Sequence, residues 1–224
     1  MFRYLPALLL VIACHTMAFS QKALYTSAQE LPVKIDDGWF TARTISFGPY
    51  QTSSRKNGID AGTDLSFIKS PQHPFNFRVT GNNADILIQV IQVAHIGLSG
   101  LSLPSFLDKM PPPALFTYAG INAGKNEPQQ QWQMILKDMT YLELNDNKPA
   151  GILQSPETDI RITANNRFGA KNSYENICYE FHYRKEVVAA VVTGQQPRVW
   201  MSTKTDHTPL QAMLAAAIGT LLVR

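Results

Sequence analysis

Apolar and polar side chains alternate with a period of two along most of this chain, and that rhythm limits it to a sheet-built fold. Successive side chains of a strand point to opposite faces, so an alternating stretch offers one face to a core and the other to water. The clearest stretch is Ile177 to Tyr183, where Ile177, Tyr179, Phe181 and Tyr183 share one face and Cys178, Glu180, His182 and Arg184 the other. Arg184-Lys185-Glu186 is a short polar break, and Val187 to Val192 is β-branched and alanine-rich. The two segments read as a hairpin, because β-branched residues suit the pleated surface and the charged tip prefers water.

The same pattern recurs upstream. Trp39, Thr41, Arg43, Ile45 and Phe47 share a face up to a break at Gly48-Pro49. Pro71 and Pro74 separate the alternation of Leu65 and Phe67 from that of Phe75, Phe77 and Val79. Asp85 to Ala94 carries Ile86, Ile88 and Val90 on one side, with Leu87 and Ile91 on the other. Trp132, Met134 and Leu136 alternate with Gln131, Gln133 and Lys137, and the strand continues through Asp138 to Leu144 toward a turn at Asn145-Asp146-Asn147. Ile160 and Ile162 alternate with Asp159, Arg161 and Thr163, and Arg198 to Ser202 supplies a last strand. About ten short strands divided by turn residues predict a mainly β fold, a single antiparallel β-barrel or sandwich.

One helix is expected, over 208–223. Thr208-Pro209-Leu210-Gln211 has a capping hydroxyl, a proline where no amide partner is needed, and a glutamine able to reach back to the cap. Leu210, Met213, Leu214, Ala217, Ile218, Leu221 and Leu222 then follow helical spacing, which predicts an amphipathic helix buried along one stripe and packed on the sheet. A single such helix can cover a barrel mouth or wall, which favours the barrel over the sandwich. Tyr50 to Thr63, rich in Ser, Gly, Asn and charge, reads as a surface loop. His95 to Pro113 sets Leu98, Leu101, Leu103, Phe106, Leu107 and Met110 among Gly, Ser and Pro, and reads as a fixed apolar corner or a lid over a ligand cavity. No repeat or linker divides residues 21–224, so they are read as one domain.

The first twenty residues speak to location. Arg3 follows Met1-Phe2, Leu5 to Ala13 is almost wholly apolar, and Ala18-Phe19-Ser20 places small residues directly before Gln21. That is the layout of a secretory signal peptide over 1–20, with an apolar segment too short to span a bilayer. Val11-Ile12-Ala13-Cys14 also resembles a bacterial lipobox, which would make Cys14 a lipidated N-terminus and the protein a membrane-anchored lipoprotein. Either way the chain is expected in the periplasm or cell envelope, touching a membrane only if Cys14 is lipidated.

Composition narrows the partners. The net charge is +3, and the basic residues are interspersed with acids, so nothing tracks the phosphates of a nucleic acid. Cleavage before Gln21 leaves Cys178 as the lone thiol, unable to form an intramolecular disulfide and expected to be buried between Ile177 and Tyr179. No CxxC, HxH or HExxH is present, so no metal site or cofactor is assigned. Gly120 to Asn126 lacks both the spacing and the Ser/Thr of a phosphate loop.

Cys178, Glu180 and His182 could in principle form an activated thiol, but same-face neighbours on one strand lie roughly 7 Å apart. A wet sheet face or the polar lining of a barrel interior accounts for them equally well. Glu157, Asp159 and Arg161 imitate the paired carboxylates of a glycosidase, as any charged strand does. No catalytic residue is assigned. Glu180, His182, Arg184 and Trp132 stand as candidate ligand contacts, and Tyr118, Tyr174 and Trp200 as rings able to stack on a sugar. The expectation is an exported, non-catalytic domain that binds a small molecule, a glycan or an envelope protein. A glycan-acting hydrolase and a structural accessory of an outer-membrane assembly are the alternatives.

Overall fold

A computed structural model of the protein describes residues 24–38, 42–60, 71–93, 105, 115–121 and 131–224, with the backbone alone at 205 and 206. The expected signal sequence with Cys14, the strand positions Trp39, Thr41, Leu65 and Phe67, and the His95–Pro113 insertion, apart from residue 105, fall outside the described residues.

Among the described residues, fourteen strands join in one sheet. They are β1 (Glu30–Leu31), β2 (Val33–Asp36), β3 (Thr44–Phe47), β4 (Tyr50–Thr52), β5 (Lys56–Asn57), β6 (Gln72–Gly81) and β7 (Ala84–Val93), followed by β8 (Phe116–Ile121) and β9 (Trp132–Lys137). A short helix, α1 (Tyr141–Asn145), precedes β10 (Lys148–Gln154), β11 (Asp159–Asn165), β12 (Cys178–Tyr183), β13 (Glu186–Val192) and β14 (Arg198–Met201). A 3-10 turn (Thr205–Leu210) then leads into α2 (Gln211–Val223). The order across the sheet is β1-β14-β13-β12-β11-β10-β9-β8-β7-β6-β4-β3-β2, with β5 beside β6, and every pairing is antiparallel.

The two ends of that order, β1 and β2, are separated in the chain by Pro32 alone. On one side Glu30 and Leu31 pair with Trp200 and Val199; on the other Val33 to Asp36 pair with Phe47 to Thr44. The sheet therefore curls into a nearly closed barrel whose seam is spanned by the backbone itself. Proline suits this crossing point because it has no amide to leave unpaired, and its carbonyl accepts from the Gly48 amide at 3.1 Å.

The barrel interior is filled by α2. The helix packs against β7 and also against β13. Those strands lie across the barrel from each other: β12, β11, β10, β9 and β8 intervene one way, and β14, the β1–β2 segment, β3, β4 and β6 the other. A helix on the outer wall could touch only one of them, and burial on every side of its second half sets this one inside the sheet. Every residue from Leu214 to Leu222 is buried, and these side chains share one core with Phe47, Phe77, Ile88, Leu153, Phe181 and Val191 from around the wall. Gly219 marks the closest approach, since a Cβ there would meet Val79 Cγ2 at 2.9 Å. Thr220, the polar residue among them, donates its hydroxyl to the Ala216 carbonyl at 2.9 Å.

The helix and the antiparallel barrel agree with the sequence reading, and several local details do not. Burial of α2 runs around all its faces, because it fills a lumen where a stripe along a wall was expected. The Thr208 capping box does not form. Residues 205–210 are a 3-10 turn, α2 starts from Leu210 without a side-chain cap, and the Gln211 amide group donates to the Ser202 carbonyl at 3.4 Å. The strand through Trp132 stops at Lys137. Residues Asp138 to Leu144 give way to α1, whose Thr140 and Glu143 form a capping box. Pro74 does not end a strand but sits at a bulge inside β6, beside His73 at φ +49°. Tyr50 to Asp60 is not a free loop, since it supplies β4 and β5 and buries Tyr50. The hairpin is as expected, with Arg184 and Lys185 at φ +48° and +69° in its two-residue turn.

Candidate functional site: a buried carboxylate on the outer wall

Alternation along β12 sends Tyr179 and Phe181 into the lumen and Cys178, Glu180 and His182 outward. These polar residues therefore line the outside of the barrel, and of the two alternatives, a sheet face and an interior lining, the second is set aside. Antiparallel register sets Thr163 beside Glu180, Arg161 beside His182 and Asn165 beside Cys178. The strand face is nevertheless not wet. Leu24 and Tyr25, ahead of β1, and Phe168, from the connection after β11, close over it to form a second small core with Cys178, Ala190, Val192 and Trp200. The Phe168 ring stacks on Trp200 at 5.2 Å, and Tyr25 meets Trp200 edge-on at 5.2 Å. Arg198 lies over Trp200 at 4.5 Å and forks onto Glu30 at 2.8 and 2.9 Å.

Glu180 is the centre of this arrangement, with only 2% of its surface exposed. The Tyr25 hydroxyl donates to its Oε1, Arg167 Nη1 lies 3.2 Å from the same oxygen, and Asn147 Nδ2 donates to Oε2 at 3.4 Å. His182 Nε2 lies 3.6 Å from Oε2 and 2.9 Å from the Thr163 hydroxyl. The two long side chains bridge the roughly 7 Å between same-face positions of one strand, and the register shift beside them lies on β13, where Val188 is the extra residue. Arg167 also lies over the Tyr25 ring, 5.0 Å from its centre. Burial by itself pushes the Glu180 carboxyl up; the close approach of His182, the Tyr25 hydrogen bond and the Arg167 charge outweigh it and hold the pKa down to about 2.

The sequence-derived candidates are thus divided. Glu180 and His182 come together, Arg184 stands in the hairpin turn with its guanidinium over Tyr183, and Trp132 packs against the lumen core from β9. Tyr25, Asn147, Thr163 and Arg167 join the cluster without having been singled out. Register alone could have found Thr163, opposite Glu180; nothing local in the sequence points to the other three.

The arrangement holds an ionised carboxylate in place, and its thiol is disarmed. Burial pushes Cys178 up to about 12, and its Sγ lies 3.7 Å from the Tyr25 hydroxyl. A thiol protonated at neutral pH and fully buried is a poor nucleophile. Iodoacetamide at neutral pH is expected to leave Cys178 unlabelled in the folded protein and to label it stoichiometrically in denaturant, as read by peptide mass. Rapid labelling of the folded chain, abolished by His182→Ala, would restore the thiol-enzyme reading. Among the described residues no three His, Cys, Asp or Glu side chains gather closely enough to hold a metal ion. Comparison with known proteins gives no match to a family model, a curated protein or a solved structure.

Proposed function

We propose that the protein is an exported, non-catalytic domain of the cell envelope that binds its small-molecule, glycan or protein partner on the outside of the barrel. The observation that carries this reading is the position of α2. Large barrels that bind small molecules do so in an open lumen, and here nine consecutive buried residues of the chain's own helix fill that space. Recognition then falls to the outer wall, where connections such as the one after β11 are held against the strands. Export is supported by the basic, apolar and small-residue order of residues 1–20.

Fractionation of the native host with intact-mass analysis tests the location. The expected result is a soluble periplasmic chain beginning at Gln21. An acylated chain beginning at Cys14 would place the same domain on a membrane, and an unprocessed cytosolic chain would overturn the proposal.

A further inference from the structure

Four large hydrophobic side chains stand exposed among the described residues, and three of them, Tyr141 (43%), Leu142 (62%) and Tyr174 (59%), come from two touching segments. Tyr141 and Leu142 belong to α1, and Tyr174 to the connection between β11 and β12. The two tyrosine rings meet edge to face with their centres 6.3 Å apart. Their positions are fixed from below. Asn145 Nδ2 donates to Asn172 Oδ1 at 2.8 Å, and Asn145 Oδ1 accepts from Asn166 Nδ2 at 2.6 Å and from the Asn172 amide at 3.3 Å. Asn172 takes φ +56°, a conformation asparagine tolerates better than most residues. Exposed rings on a braced connection lose little freedom when a ligand arrives.

The surroundings are electrically balanced. Glu143 pairs with Lys137, Asp146 lies 3.8 Å from Lys148, and the flanking Lys171 and Glu175 have opposite signs. No net charge is offered to an ionic ligand. Three side chains also fall far short of the ~800 Å² that each partner gives to a stable protein interface. A narrow, uncharged ligand with flat C–H faces and hydroxyl rims matches both limits: the faces stack on tyrosine, and the hydroxyls meet amide and phenol groups. We therefore propose that Tyr141 and Tyr174 form an aromatic platform for a neutral glycan chain, one ring stacking on a sugar face and the other, set at 75° to it, bracing it edge-on. The proposal rests on the reading of the protein as a binding domain and names its ligand class.

Native-gel affinity electrophoresis of the mature chain in hydroxyethyl cellulose, galactomannan and glycogen tests it. Retardation is expected in at least one gel, with apparent affinity falling at least tenfold in Tyr141→Ala and Tyr174→Ala and largely kept in Tyr174→Phe. Because both rings are exposed, the melting temperatures should stay near wild type. Absence of retardation in all three gels would overturn the platform, as would retardation that both alanine variants keep. A protein partner captured through these tyrosines, with no effect of any polysaccharide, would overturn the glycan assignment while leaving the binding reading standing. Loss of the exported location would show separately, in the fractionation experiment, whatever the gels give.

Discussion

Ile218→Asp should leave no folded barrel. Ile218 is fully buried near the middle of α2, with lumen-facing side chains around it. Truncating such a residue to alanine costs about 2–5 kcal/mol, and an unpaired carboxylate in the same place adds a desolvation penalty that carries the total beyond about 5 kcal/mol. That is comparable with the whole stability of an ordinary domain. Circular dichroism should show loss of cooperative unfolding, with Ile218→Ala retaining a transition at a lower temperature. Melting of Ile218→Asp within a degree or two of wild type would mean that this face of the helix looks outward, contrary to a filled lumen.

Acid should loosen the outer wall through Glu180. Its folded pKa of about 2 lies below the ordinary 4.5, so the stability it contributes is fully present above pH 4.5 and is lost as pH falls toward 2. The size of the shift corresponds to about 3 kcal/mol. Glu180→Gln should cost about 2 kcal/mol at neutral pH, moderated because Arg167 can turn to water, and should flatten the loss of stability between pH 4.5 and 2. Some slope should remain in the variant, because Glu30, Asp85 and Glu143 are also held below their ordinary values. Denaturant titrations across that range check the difference. An unchanged slope would show that Glu180 is not the acid that matters.

The barrel could be read from period-two alternation because each strand records its own two faces. Ile86, Ile88 and Val90 point into the lumen as their spacing requires, and so do Tyr179 and Phe181. Alternation gives the parity of a strand but not which parity faces inward when both faces are covered. Cys178 and Glu180 look like a solvent face until Tyr25 and Phe168 are laid over them, and Tyr25 is distant in sequence from the strand it covers. The capping signal at Thr208 failed for a related reason: the Ser202 carbonyl, brought in by β14, competed for Gln211. The capping box at Thr140, by contrast, needed no tertiary partner, and its signal was hidden only by the apparent continuation of β9.

The seam at Pro32 ties the first strand of the barrel to its last. Glu30 pairs with Trp200, and the helix that fills the lumen follows β14 directly. Contacts so distant along the chain carry a large loop-closure entropy and place such a topology among the slower folders. A chain still being synthesised, or cut short before β14, therefore has an open sheet with an empty centre and no partner for β1. The whole sequence must be available before the barrel can close, so the protein cannot acquire its final shape piecemeal from the N-terminus. Until β14 and α2 have been made, the inward-facing side chains of the wall have nothing to bury them.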